Sequence, residues 1–207
     1  MKPKLLLYCC KAKPYLYKTD DTMIEKMFGD YHTQLNKAVL NDNCLNGKIV
    51  AECDFDVEEI TIGRSYGFTP NLCIISTKNL QPIELLSKSC YESYDDLFKY
   101  LKYDFDNDYG NHKGPYGYAI HIKNLHIFAE PKELSEYFSK PKKMDTLYGS
   151  SWVCESIDRA PQNMMYAYDG EGNKYIVISI QSQWMCEILN GNKTVEVRKK
   201  VLKEMLE

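Results

Sequence analysis

The sequence predicts an α+β fold: residues 1–207 as a single domain built on a small curved or closed sheet, with short helices packed on it. Three observations predict this. Short strand-like and helical segments mix along the chain without regular βαβ alternation. The segment "NGKIVAECDFDVEEITI" alternates apolar Ile49, Ala51, Cys53 and Phe55 with mostly polar neighbours, the period of a half-buried strand. The 207 residues are 44% hydrophobic, enough for one domain's core.

The elements follow in order. "KLLLYCCKA" reads as the first strand, and "PYLYKT" pairs or turns after a proline. Residues 20–46 read as a polar excursion with one short helix. The "NG" before Lys48 is a tight-turn signal. "SYDDLFKYLKY" reads as a helix, with Ser93 as N-cap and Asp95 and Asp96 in the first turn. "GYAIHIKNLHIFA" is a strand or strand pair, and "PKELSEYFSK" a short helix opened by Pro131. Residues 140–174 read as irregular apart from the extended piece "NMMYAY". "YIVISI" is a buried strand, "SQWMCEILN" a helix stopped by Gly191, and "KTVEVRKK" the last strand before a short tail.

Composition removes several function classes. Charged residues make up 27% and the net charge is −3, which argues against a broad nucleic-acid coat and leaves local contacts or a single nucleoside. The longest apolar runs, "LLLY" and "YIVISI", fall well short of the ~20 residues of a membrane-spanning helix. No secretory leader is recognisable after "MKPKLLLYCC", so the expected compartment is the cytoplasm. The eight cysteines form no C-x-x-C pair and no finger spacing, so they are expected as small hydrophobes rather than zinc ligands or disulfides. The four histidines are scattered, and neither a metal nor a cofactor is expected. Tyrosine, at 17 residues, offers stacking faces with polar tips, which suits a planar ligand and equally a half-wet sheet.

The chemically loaded stretch is "GNKTVEVR", residues 191–198. Gly191 turns the chain after a helix, and Lys193 sits at that turn. Along the strand, Val195 and Val197 point one way and Thr194, Glu196 and Arg198 the other. The same pattern suits an ordinary solvent face. The sharper reading has Lys193, Glu196 and Arg198 lining a cavity, where a lysine beside a carboxylate serves as acid, base or nucleophile. The turn position predicts that removing Lys193 costs within ~0.5 kcal/mol, as a surface change would.

Gly191, Lys193, Glu196 and Arg198 reproduce G-x-K-x-x-E-x-R, and in this the chain resembles the ASCH superfamily of PUA-like folds. "IVISIQSQWMCEILNG" is similar to the strand and helix that precede the motif there. "KPKLLLYCCKAKPYLY", "NGKIVAECDFDVEEI", "KSCYESYDDLFKYL", "GYAIHIKNLHIFAEPKEL" and "APQNMMYAY" resemble later segments. In the family the strand, helix and motif come first; here residues 175–200 come last, which looks like a circular permutation. A C-terminal strand-helix-strand exchanged between chains is the alternative. The resemblance implies a small mixed PUA-like β-barrel, with "TVEVR" beside or near "LLLYC".

One branch of the superfamily removes acyl groups from the exocyclic nitrogen of cytidine. The resemblance to it implies an amidohydrolase of N4-acylcytidine-type amides. Lys193 would be acid/base or polarising cation, Glu196 would activate water or shift the lysine's pKa, and Arg198 would stabilise the oxyanion or hold the strand in place. Glu196 takes the place of the branch's threonine, and Cys90 falls where its distant carboxylate would be; a Cys90 thiolate beside Lys193 would be an activated nucleophile, and a buried inert cysteine is the plainer reading. Tyr8, Thr194, Tyr118 and His121 are the candidate substrate-binding residues, although a lone strand histidine is more often a structural hydrogen-bonder. His126 and Asn124 are further polar candidates. The implied partner is a small nucleoside or modified base; the competing function is a non-catalytic module that binds RNA or a modified base.

Overall fold

Strand β1 (Lys4–Cys9) is the apolar run "LLLYC" behind one lysine, and each of its last five residues is buried. The structure is a computed structural model that describes residues 3–10, 45, 47–64, 73–103, 114–140, 142–146 and 149–206. "PYLYKT" and nearly all of the polar excursion at 20–46 lie outside the described residues. The remaining elements are β2 (Lys48–Arg64), β3 (Cys73–Ser76), α1 (Pro82–Ser89), α2 (Tyr94–Leu101), β4 (Gly117–Glu133), β5 (Lys142–Thr146), β6 (Gly149–Val153), β7 (Met164–Tyr168), β8 (Lys174–Ile180), α3 (Ser182–Leu189) and β9 (Val195–Arg198). Single 3-10 turns follow at Leu134–Glu136 and Lys203–Met205.

The fold is α+β. Seven strands hydrogen-bond into one sheet in the order β7-β8-β1-β2-β4-β9, with β3 on β2, and β5 and β6 form a separate hairpin. That order is an open path: among the described residues the sheet does not close into a barrel. No described helix is long and apolar enough to cross a membrane.

The chain gathers into two compact units. The first comprises Met1–Cys53 and Leu125–Cys186. There β1 runs parallel to β8, Leu6 opposite Val177, and antiparallel to β2, Leu5 opposite Cys53. Both edges of β1 are thereby taken, so "TVEVR" finds its partner elsewhere; the strands beside "LLLYC" are "YIVISI" and the first part of β2. Leu6, Tyr8, Ile49, Tyr137 and Val177 share one buried cluster. The second unit comprises Asp54–Asn124 and Glu187–Glu207. There β9 pairs antiparallel with β4, Tyr118 opposite Arg198 and Ile120 opposite Glu196. Ile60, Leu85, Leu97, Phe98, Val195 and Val197 are among its core residues.

Local chemistry accounts for most elements. Ser93 caps α2 by accepting from the Asp96 amide at 3.1 Å, as the sequence predicts. Helix α1 is not among the predicted elements, although its signals are local: Pro82 in the first turn, and a capping box in which the Gln81 backbone N–H donates to Glu84 at 3.0 Å. The helix expected from Pro131 is instead the end of β4 and a single 3-10 turn. Phe138 and Tyr168 exchange two backbone hydrogen bonds, which pulls the chain back to extended form before a helix can propagate. Within the stretch read as irregular, β5 and β6 form a hairpin that turns into Gly149 at φ 123°. In β2 the buried parity switches, from Phe55 on the odd positions to Glu58, Ile60 and Ile62 on the even ones.

Candidate functional site

The second unit delivers Lys193 through a hydrogen-bonded helix stop. Gly191 adopts φ 77°, a left-handed conformation that a side chain would strain. Its amide donates to the Ile188 carbonyl at 3.0 Å, and the amides of Asn192 and Lys193 both donate to Glu187 O, at 2.9 and 3.0 Å. Thr194 then bridges two elements: its amide donates to Lys88 O at the end of α1, and its carbonyl accepts from Ile122 of β4, both at 2.9 Å. With the backbone held on both sides, the Lys193 side chain runs inward and is only 3% exposed.

The motif side chains converge there. Lys193 Nζ donates to the Ser89 carbonyl at 2.5 Å and lies 3.4 Å from Glu196 Oε2. Glu196 Oε1 lies 2.8 Å from Arg198 Nε, so each carboxylate oxygen faces a cation. Glu196 and Arg198 side chains are 10% and 14% exposed. Stripping water from three ionised groups costs several kcal/mol per ion, so such a chain of charges is an expensive way to stabilise a sheet edge. Gly117 marks how closely β4 and β9 approach: a Cβ there would sit 2.6 Å from Leu101 Cδ2 and 3.0 Å from the Arg198 carbonyl.

Two tyrosines complete the surroundings. Lys193 Nζ is 5.8 Å from the Tyr91 ring centroid, and Tyr91 and Tyr100 lie 5.9 Å apart. Burial, then the neighbouring Tyr100 and Glu196, push the Tyr91 phenol up. Burial likewise pushes Tyr100 up, against the opposing pull of Arg198. Both remain neutral near pH 7 and can donate a hydrogen bond. The Ser89 hydroxyl is committed to its own helix, donating to Leu85 O at 2.5 Å.

The other predicted residues divide. Cys90 ends α1 in the left-handed region, φ 57°, next to the carbonyl that receives Lys193. Its thiol is pushed up by burial; Lys193 pulls it down and Glu187 pushes it up further, which favours the thiol over the thiolate. Tyr118 is half-buried and pairs with Arg198, which places the two on one face of the strand pair. Thr194 is exposed, and its backbone rather than its hydroxyl does the positioning. His121 lies opposite Val195, on the face away from Glu196. Its Nε2 is 2.6 Å from Glu58 Oε1, and Glu58 Oε2 accepts from the Asn79 amide at 2.7 Å, so His121 satisfies a buried carboxylate. Tyr8 belongs to the first unit, where it packs with Leu6 and Tyr137 and burial pushes its phenol up. Asn124 and His126 reach acids on neighbouring β2, Asn124 Nδ2 at 2.8 Å from Asp54 and His126 Nδ1 at 3.8 Å from Glu52. Among the described residues no group of three or more His, Cys, Asp or Glu side chains could hold a metal ion.

Sequence reasoning missed Tyr91, Tyr100 and the Ser89 carbonyl. The density of tyrosine in "SCYESYDDLFKY" was the available signal, but nothing local says that those rings meet Lys193. No family model, no curated protein and no solved structure matches this chain.

Proposed function

We propose that the Lys193–Glu196–Arg198 constellation is the active site of an amidohydrolase that removes acyl groups from the exocyclic N4 of cytidine-type bases. On this reading the sheet is part of a PUA-like barrel in permuted order, and the enzyme works in the cytoplasm on a small nucleoside. The resemblance of G-x-K-x-x-E-x-R to the ASCH superfamily supports the choice of substrate. The observation that carries the reading is the convergence of the three motif side chains in one largely buried group beside Tyr91 and Tyr100.

The chemistry balances on these residues. Glu196 takes a proton from water as the water oxygen bonds to the acyl carbon, and Arg198 stabilises the oxyanion that forms. The C–N4 bond breaks as Lys193 gives a proton to the departing amine. Glu196 then returns its proton to Lys193, 3.4 Å away, which restores both groups. Water is preferred over Cys90 as nucleophile because burial holds that thiol protonated.

The test is incubation with N4-acetylcytidine and quantification of cytidine. Wild type should release cytidine, Glu196→Gln should be slower by ~10²- to 10⁴-fold, and Cys90→Ser should stay near wild type. No release from any acylcytidine sinks the enzyme. Binding without release would favour a base-binding module.

A further inference from the structure

We propose that Tyr100 is a positioning residue of this site, its hydroxyl holding the peptide that joins Val197 to Arg198 and so setting the Arg198 guanidinium on Glu196; this rests on the hydrolytic reading above. Strand β9 comes last in the sheet among the described residues, with β4 along one edge. The Ile122 amide donates to the Thr194 carbonyl at 2.9 Å, and the register steps by twos from there through Ile120–Glu196 and Tyr118–Arg198. In an antiparallel pair the backbone groups of alternate residues face opposite edges. The Thr194 carbonyl and the backbone groups of Glu196 and Arg198 therefore turn to β4, whereas those of Val195 and Val197 turn to the outer edge. At that edge the Tyr100 hydroxyl donates to the Val197 carbonyl at 3.2 Å. That carbonyl and the Arg198 N–H belong to one peptide plane, which is thus held by α2 on one side and by β4 on the other.

The surroundings keep that hydroxyl in place. Leu97 and Leu101 of the same helix are buried in the core, and the Tyr100 ring packs against the same cluster. Tyr91 braces the ring at 5.9 Å between centroids, and Lys199, the residue after Arg198, brings its Nζ to 5.1 Å from the ring centroid. Burial keeps the phenol protonated, so it stays a donor. Tyr100 thus engages β9 on both sides of Arg198. Glu196 Oε1 meets Arg198 Nε at 2.8 Å across two positions of a pleated strand, so that contact depends on the peptides between them. A donor aimed at a developing oxyanion works only where it is already in place. The Tyr100 hydroxyl is committed to backbone, so its effect on the reaction passes through Arg198.

The experiment compares the wild-type chain with Tyr100→Phe, which keeps the ring and loses the hydroxyl, and Tyr100→Leu, which loses both. Cytidine release from N4-acetylcytidine gives kcat and KM, hydrogen–deuterium exchange reads the β9 amides, and urea unfolding followed by circular dichroism reads stability. Tyr100→Phe should lower kcat by ~10- to 100-fold with KM unchanged. It should also speed exchange at the Glu196 and Arg198 amides by roughly tenfold, the scale of one hydrogen bond. Its kcat should fall as far as that of Tyr100→Leu, although only the leucine variant gives up the ring packing and loses much stability. Wild-type kcat in Tyr100→Phe, with loss confined to Tyr100→Leu, would overturn the proposal by reducing Tyr100 to packing. A raised KM at unchanged kcat, or a lowered kcat with unchanged exchange, would overturn it too. Each of these leaves the hydrolytic reading standing, because wild type still releases cytidine. No release by wild type would remove that reading and the positioning role with it, even where exchange still shows the hydroxyl anchoring β9.

Discussion

Replacing Lys193 tests the burial of the site directly. In Lys193→Met the stem is still filled but the amine is gone. The Ser89 carbonyl then loses the donor it has at 2.5 Å, a buried acceptor worth about 1–3 kcal/mol when left unsatisfied. Glu196 loses one of its two cations. Removing a partner from a buried pair costs about 3–5 kcal/mol when the remaining charge is stranded. Here Arg198 still sits 2.8 Å from Oε1, so most of that is spared. The desolvation cost of the ammonium also disappears, which offsets part of the loss. The net expectation is about 2 kcal/mol of destabilisation for Met. Lys193→Ala additionally gives up about three buried methylenes at ~0.8 kcal/mol each, for a total of about 4 kcal/mol. For a chain of this size that corresponds to a Tm lower by roughly 4–8 °C for Met and 8–16 °C for Ala. Urea and thermal unfolding followed by circular dichroism measure both. The sequence expectation of a near-neutral surface change is thereby replaced, because the turn holds Lys193 inward and not outward. If both variants melt within about 1 °C of wild type, the lysine is not buried and the constellation argued from it fails.

Two further outcomes are expected. Gly117→Ala should destabilise by about 1–3 kcal/mol, since Leu101 can rotate away but the Arg198 carbonyl, 3.0 Å from the added Cβ, is backbone; an unchanged urea midpoint would refute that close approach. Stability should fall as pH rises above about 9: burial pushes the Cys9 thiol from 9.0 up to about 12, so over that window the unfolded chain binds fewer protons than the folded one and the slope is negative. Urea titrations at pH 8, 9.5 and 11 measure that slope, which Cys9→Ala should reduce; a level profile would contradict the burial of Cys9.

What the sequence by itself determined is what a few neighbouring residues decide. The Ser93 cap, the helix stop at Gly191, the alternation of Ile49 to Phe55, and the nomination of Lys193, Glu196 and Arg198 all rest on spacings of one to five residues. Helix α1 belonged to the same class, since Pro82 and the Gln81–Glu84 box were there to be read. Tertiary structure alone decided where those pieces meet. The carbonyl that receives Lys193 is 104 residues away in the chain, and its aromatic neighbours stand on the segment after α1 and on α2. Pairing gave β9 to β4, because β2 and β8 already occupy both edges of β1. It also turned His121 toward Glu58, where a buried carboxylate needed a partner more than a surface pocket needed a histidine. A strand has two edges and two faces whatever its sequence; which neighbour takes each edge, and which face is dry, depends on the whole chain.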